Sequence, residues 1–281
     1  MNVLVTGARG MIGTRLVEGL LNAGHTVIGV GRSGDEVCEK NHFFYRVDLA
    51  DRERLETIVE RHAVDRVIHL AALAHTAGEV DLSWERYRHI NVDCARNVFD
   101  AAGERPVLYI STVDVYGFYD GKAPVNGGTP IHPVSKYGRS KAMAEELCRK
   151  LGHYTIFRLS PVYTETVRRD IQKRYYLRCP TVAYRIGKGT HFEILSIENA
   201  VRAMVDWCQE EPQNDVRIIK DDRPMWTPDY IRAEQAEGRA KLVLCFPRWM
   251  VSAGYGALRR MLGENEKVYL LSKAVHPLRS E

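Results

Sequence analysis

Residues Asn2–Thr6 are a short apolar, β-branched run that ends directly on Gly7-Ala-Arg-Gly10-Met-Ile-Gly13. Beyond that turn Ile12, Leu16, Val17 and Leu20 recur at helical spacing, Gly24 closes the segment, and residues 25–30 read as a second strand. Strand, glycine turn, helix and strand make a βαβ unit, which commits the chain to parallel strands joined by a crossover helix.

The alternation continues. Residues 43–48 read as a strand, Asp51 caps a helix carrying Leu55, Ile58 and Val59, and residues 66–72 form the next strand. Ser83 opens a helix with Tyr87, Ile90, Cys94 and Val98 on its apolar stripe. A strand at 107–110 leads into Ser111-Thr112-Val113-Asp114-Val115-Tyr116-Gly117, and a Gly/Pro-rich loop at 121–133 precedes a further helix and a strand at 154–159. This pattern predicts an α/β fold, a doubly wound parallel sheet of the Rossmann type, over residues 1–163. Residues 164–281 read as a smaller substrate-binding part, with 190–220 returning to the sheet through a helix at 198–208 and a strand at 216–220. Two helical stretches are expected after that, at 228–237 and 248–262.

In such sheets ligands bind at the carboxyl ends of the strands. The glycines let backbone approach a pyrophosphate at the helix N-terminus, so Gly7, Arg9, Gly10, Met11, Ile12 and Gly13 are the expected cofactor cradle. Asp48 and Leu49 follow a strand where an adenine could be held, and Leu70, Ala71 and Ala72 end another with small side chains. Where a site for NAD usually carries an acid after the second strand, this chain has Gly31-Arg32-Ser33. Arg32 with Arg9 suits a 2′-phosphate, favouring NADP over NAD; the alternative leaves both arginines as exposed surface charge.

Tyr137 and Lys141 stand four apart in Pro-Val-Ser-Lys-Tyr-Gly-Arg-Ser-Lys, so on a helix they share a face. An ammonium near a phenol stabilises phenolate and makes tyrosine a usable proton-transfer group. The net charge is only +4, too small to argue for nucleic acid, but residues 164–190 carry seven basic and two acidic side chains. Arg168, Arg169, Lys173 and Arg174 there suit a phosphate-bearing small molecule, or else a solvated face. The six scattered cysteines form no metal-ligand pattern and read as reduced thiols. No basic leader precedes the first strand and no apolar run is long enough to span a bilayer, so a cytoplasmic protein without a signal peptide is expected. A P-loop nucleotidase is a poorer reading, because Gly187-Lys188-Gly189-Thr190 lacks the required order and the turn after the first strand has no lysine.

Taken together, Thr6-Gly7-x-x-Gly10-x-x-Gly13, Asp48-Leu49, His69-Leu-Ala-Ala72, Asn91-Val92, Thr112-x-x-Val115-Tyr116-Gly117, Tyr137-x-x-Ser140-Lys141, Glu145 and Arg158-Leu-Ser-Pro-Val-Tyr163 resemble the extended short-chain dehydrogenase/reductase superfamily. Within it the chain is similar to the NAD-dependent epimerase/dehydratase family of nucleotide-sugar enzymes. The resemblance implies an enzyme in which Tyr137 exchanges a proton with a sugar hydroxyl and Lys141 holds the cofactor ribose and lowers the tyrosine pKa. It also implies that Thr112 rather than Ser111 steadies the sugar oxygen, that Asn91 supports the lysine through water, and that Pro161 touches the cofactor. Asp114 and the basic cluster would face the substrate. A homodimer is implied too, pairing the helix at 83–102 with the Tyr137 helix. Where dehydratases carry Asp-Glu after the threonine, this chain has Val113-Asp114, so epimerisation or 4-keto reduction is expected instead, in a pathway such as polysaccharide biosynthesis. A catalytically silent NADP-sensing module is the competing reading, and the presence of both Tyr137 and Lys141 counts against it.

Overall fold

A computed structural model describes residues 1–74, 82–165, 169–177, 179 and 181–281. The elements run β1 (Asn2–Thr6), α1 (Met11–Asn22), β2 (Thr26–Gly31), β3 (Val37–Cys38), β4 (His42–Arg46), α2 (Arg52–Arg61) and β5 (Arg66–His69), then α3 (Trp84–Arg88), a π-helical turn (His89–Asp93), α4 (Cys94–Ala102) and β6 (Val107–Thr112). A 3₁₀ turn (Val113–Tyr116) leads on to α5 (Lys136–Cys148), β7 (Tyr154–Leu159), β8 (Val162–Tyr163), α6 (Arg169–Gln172), β9 (Val182–Ile186), β10 (His191–Phe192) and β11 (Leu195–Ser196). The chain ends with α7 (Ile197–Trp207), β12 (Asp215–Ile219), β13 (Met225–Trp226), α8 (Thr227–Ala236), β14 (Leu242–Phe246), α9 (Arg248–Leu262) and α10 (Glu266–Val275).

The main sheet is α/β and doubly wound, in the order β12-β7-β6-β5-β1-β2-β4-β3, parallel throughout except that β3 runs against β4. Its central strands are buried on both faces, which is why β1 and β2 read as continuous apolar runs. One face is covered by α1 and α7, packing Leu16, Leu20, Ala200, Met204 and Trp207 against the sheet. The two helices approach so closely at Gly19 that a Cβ there would lie 3.0 Å from Val201. The other face is covered by α2, α4 and α5, with Leu55, Val98, Phe99 and Ala144 in its core. Register sets Thr6 beside His69 and Thr112 beside Leu159, so the carboxyl ends of β1, β5, β6 and β7 open along one edge.

Three features depart from the sequence reading. The helix expected to run on from Ser83 is interrupted by the π turn around Asn91. Residues 242–246 form a strand, paired in parallel with β9 across about sixty residues of chain by register Val182↔Leu242. A third C-terminal helix, α10, follows α9, capped by the Asn265 side chain and packed through Val268 and Val275 against Tyr255. Among the described residues no helix is long and apolar enough to cross a membrane.

A buried ion pair ties α5 to the sheet. Glu145 on α5 accepts from Arg158 of β7 at 3.1 and 2.7 Å and from Ser111 Oγ of β6 at 2.6 Å, while Arg158 Nη1 donates to Tyr116 Oη at 2.8 Å. Both charged side chains are 1% exposed. Removing one partner strands the other charge away from water. Arg158→Met is therefore expected to lower unfolding free energy by about 3–5 kcal/mol, and Arg158→Met with Glu145→Leu should recover much of that loss in urea titrations.

Candidate active site

The edge opened by the sheet is built first by glycine. Gly7 adopts φ +70°, and a Cβ on Gly13 would lie 2.1 Å from the Gly7 carbonyl oxygen, so neither tolerates a side chain. Gly10 caps α1 with no side-chain acceptor, which leaves the helix's first amides for a ligand. A cavity of about 1040 Å³ begins at this turn and crosses the carboxyl edge of the sheet. Its walls include every residue expected to hold a cofactor, from Gly7 through Arg32, Asp48, Leu49 and the stretch Leu70-Ala71-Ala72 to Tyr137, Lys141 and Pro161. The uncapped helix, the crowded glycines and the small side chains fit a dinucleotide lying across them.

At one end of the cavity Arg9 spans Phe44, 4.4 Å from the ring centroid, and donates to the Asp35 carbonyl at 3.0 Å. Arg32 and Ser33 line the same end and are exposed.

Thr112, Tyr137 and Lys141 line the middle of the cavity. Ser135 caps α5 by accepting from the Gly138 amide at 2.9 Å, and Gly138 lies so near the turn after β6 that a Cβ would be 2.8 Å from the Asp114 carbonyl oxygen. A larger residue at 138 would therefore press on the Asp114 backbone and on the Ser135 cap. Ser111 and Thr112 both line the cavity, but Ser111 is buried and donates to Glu145, whereas half-buried Thr112 accepts from the Asp114 amide at 3.2 Å.

Lys141 is 1% exposed, with its ammonium 4.3 Å from the centroid of the Tyr109 ring. Burial drives its pKa down to about 7, against the opposing pull of Glu145. His69 stacks on the same Tyr109 ring at 5.7 Å. Thr6 Oγ1 already accepts from the Leu70 and Ala71 amides at 3.2 and 3.1 Å, so its hydroxyl proton goes to His69 Nδ1 at 2.7 Å. That assigns His69 as neutral with its proton on Nε2, consistent with burial and Lys141 lowering its pKa to about 3.

Asn91 is buried behind this wall. Its side chain accepts from the Leu73 amide at 2.6 Å and donates to the Leu73 carbonyl at 3.0 Å and to Ser140 Oγ at 2.9 Å. It thus fastens the end of β5's loop to α5, one residue from Lys141, and the π turn is what swings it inward.

The far wall comes from the second half of the chain. Lys173 and Arg174 line it, Arg174 lying 4.7 Å over Phe192. Arg168 falls outside the described residues, and Arg169 opens α6. Sequence reasoning missed Tyr184, Phe192 and above all α10, which contributes Tyr269, Leu270, Lys273 and Ala274. A signal was present: Tyr269 and Lys273 are four apart behind an Asn cap, the same spacing as Tyr137 and Lys141. Asp114 also borders the cavity, but its carboxylate accepts from Ser135, from Tyr269 Oη at 2.7 Å and from Lys273. A second cavity of about 360 Å³ adjoins at His276 and Pro277, walled by Arg248, Arg279 and the stacked pair His191–Trp226.

The profile of the NAD dependent epimerase/dehydratase family matches residues 3–208. The chain belongs to that family. A UDP-glucose 4-epimerase of Drosophila melanogaster is 35% identical over 173 residues, 53% of this chain and 48% of that protein. The chain therefore spans about half the length of the curated relatives it matches. Among solved structures, UDP-glucuronic acid 4-epimerase from Bacillus cereus, in complex with UDP-glucuronic acid and NAD, superposes with TM-score 0.69 at 21% identity, covering 88% of this chain and 86% of that one. UDP-glucose 4-epimerase from Thermotoga maritima, with UDP-glucose, gives 0.66 at 26%, covering 88% and 86%.

The buried lysine makes a prediction that needs no ligand. Its folded pKa, about 7, lies below the 10.5 of an unperturbed lysine, so between those values the unfolded chain binds more protons and stability rises with pH. Relative to Lys141→Met, the wild-type chain should gain stability from pH 6.5 to 9.5 in urea titrations; a constant difference would contradict it.

Proposed function

We propose that the chain is an NAD(P)-dependent nucleotide-sugar epimerase acting at a ring hydroxyl, with reduction of a 4-keto sugar as the other outcome of the same chemistry. The observation that carries this reading is the meeting of Tyr137, Lys141 and Thr112 on one cavity continuous with the glycine turn. Tyr137 takes the proton of the sugar hydroxyl, Thr112 hydrogen-bonds that oxygen and steadies it, and the Lys141 ammonium favours the phenolate. A bound nicotinamide supplies the hydride acceptor and donor. Tyr137 then returns the proton to the oxygen, and inversion follows when the transient ketone has presented its opposite face.

Elimination is disfavoured on two grounds. Val113 cannot serve as an acid, and Asp114 is already occupied by three donors. The substrate's diphosphate is assigned to Lys173 and Arg174, and its base to the smaller cavity, where His191 and Trp226 offer an aromatic face. Residues 164–281 act in this reading as the substrate-binding part, and the homodimer pairing the helix at 83–102 with α5 belongs to the same proposal. A silent sensing module has no specific observation in its favour.

Tyr137→Phe is expected to lower kcat about 10²–10⁴-fold in an assay of UDP-sugar inversion, with cofactor affinity unchanged by calorimetry; undiminished turnover would sink the assignment. For the cofactor we favour NADP, because Arg32 stands where an acidic residue would select NAD, with Arg9 beside it. The Arg32→Ala variant should bind NADPH roughly tenfold or more weakly while its NADH affinity holds; equal losses for both would remove Arg32 from the 2′-phosphate.

A further inference from the structure

We propose that Tyr269 and Lys273 of the C-terminal helix are positioning residues of the active site, acting through Asp114 on the cap of the helix that carries Tyr137. The inference rests on the reading above that Tyr137 and Thr112 perform the chemistry.

Asp114 lies two residues beyond Thr112 in the 3₁₀ turn and is buried. Its Oδ1 accepts from Tyr269 and Lys273, and its Oδ2 accepts from Ser135. Ser135 is the N-cap of α5, so the hydroxyl that gives its proton to Asp114 is the one whose oxygen receives the Gly138 amide. The orientation of that cap, one residue either side of Lys136 and Tyr137, is therefore set by the carboxylate behind it.

A buried carboxylate needs a counter-charge. Burial pushes the Asp114 carboxyl up, but Lys273, helped by Ser135 and Tyr269, overrides this and holds it below the usual range. Without Lys273 the carboxylate either takes up a proton or turns toward water. In both cases it ceases to be a strong acceptor for Ser135, and the cap loosens.

The C-terminal segment is also pinned beyond α10, which makes its contact with Asp114 a fixed strut. Ser280 donates through its amide and hydroxyl to Glu193, each at 2.7 Å, and the Glu281 amide donates to the Val125 carbonyl at 3.0 Å. Lys220, bonded to the same Glu193 at 3.1 Å, donates to the Ser280 carbonyl at 2.5 Å. Tyr269, Lys273, Ser280 and Glu281 lie past residue 208, where the family match ends, whereas Asp114, Val125 and Glu193, which they bind, lie within it.

The test compares Lys273→Met, Lys273→Arg and Tyr269→Phe with the wild type and with Tyr137→Phe. Amide hydrogen exchange at residues 136–140 is measured first, because it needs no substrate. Lys273→Met should exchange about fivefold faster there, Lys273→Arg should restore the wild-type rate, and Tyr269→Phe should fall between. In the turnover assay Lys273→Met should lose about tenfold to a hundredfold in kcat with cofactor affinity unchanged. Wild-type exchange in Lys273→Met overturns the proposal, as does equal impairment of the Met and Arg variants, which would mark simple loss of packing. Undiminished turnover in Tyr137→Phe overturns the functional reading instead and leaves the exchange result to decide the role of Lys273.

Discussion

The interaction on which the site depends is the Glu145 carboxylate, buried on α5 and bound by Arg158 and Ser111. A helix lying on a sheet through apolar contacts alone has freedom to slide or turn; a dry carboxylate with three bonds to two strands removes it. Tyr137 and Lys141 are two turns and one turn before Glu145 on that helix, so their direction toward the sheet edge follows from where Glu145 is held. The same bond engages the Ser111 hydroxyl, so of the two hydroxyls lining the cavity Thr112's is the one not bound to Glu145.

Around this anchor Lys141, His69 and Thr6 are buried together. Lys141 rests on the Tyr109 ring, His69, stacked on the same ring, is neutral, and Thr6 fixes its tautomer. An ammonium in such a place is costly to keep charged, which is what brings its pKa into the physiological range. That cost is what makes the lysine sensitive to its surroundings.

The βαβ start, the alternation of strands and helices up to β7 and the spacing of Tyr137 and Lys141 were legible because each is a local pattern. Periodicity of apolar residues and the position of glycine report directly on backbone geometry. The π turn was not, since the apolar stripe from Tyr87 to Val98 reads as one regular helix; what accompanies the turn, the tertiary bonds of Asn91 to Leu73 and Ser140, leaves no local pattern. Nor was the pairing of β9 with β14, because Val182 and Leu242 meet with no turn between them to announce a partner. Helix α10 had its cap and its Tyr269–Lys273 spacing in view, yet what they reach, Asp114, lies 155 and 159 residues away.

Charge shows the same limit from another side. The basic excess at 164–190 pointed to a substrate wall, and Lys173 and Arg174 do line the cavity. Arg185, from the same run, turns instead to β14 and donates to Cys245 Sγ at 3.2 Å. A cation bound to Asp114, Lys273, comes instead from residues 263–281, where Lys267, Lys273 and Arg279 are balanced by Glu264, Glu266 and Glu281. Density of charge along a sequence measures solvation of a surface as readily as it measures a site. What singles out Lys273 is a buried carboxylate waiting at the end of its reach, and that is a property of the fold.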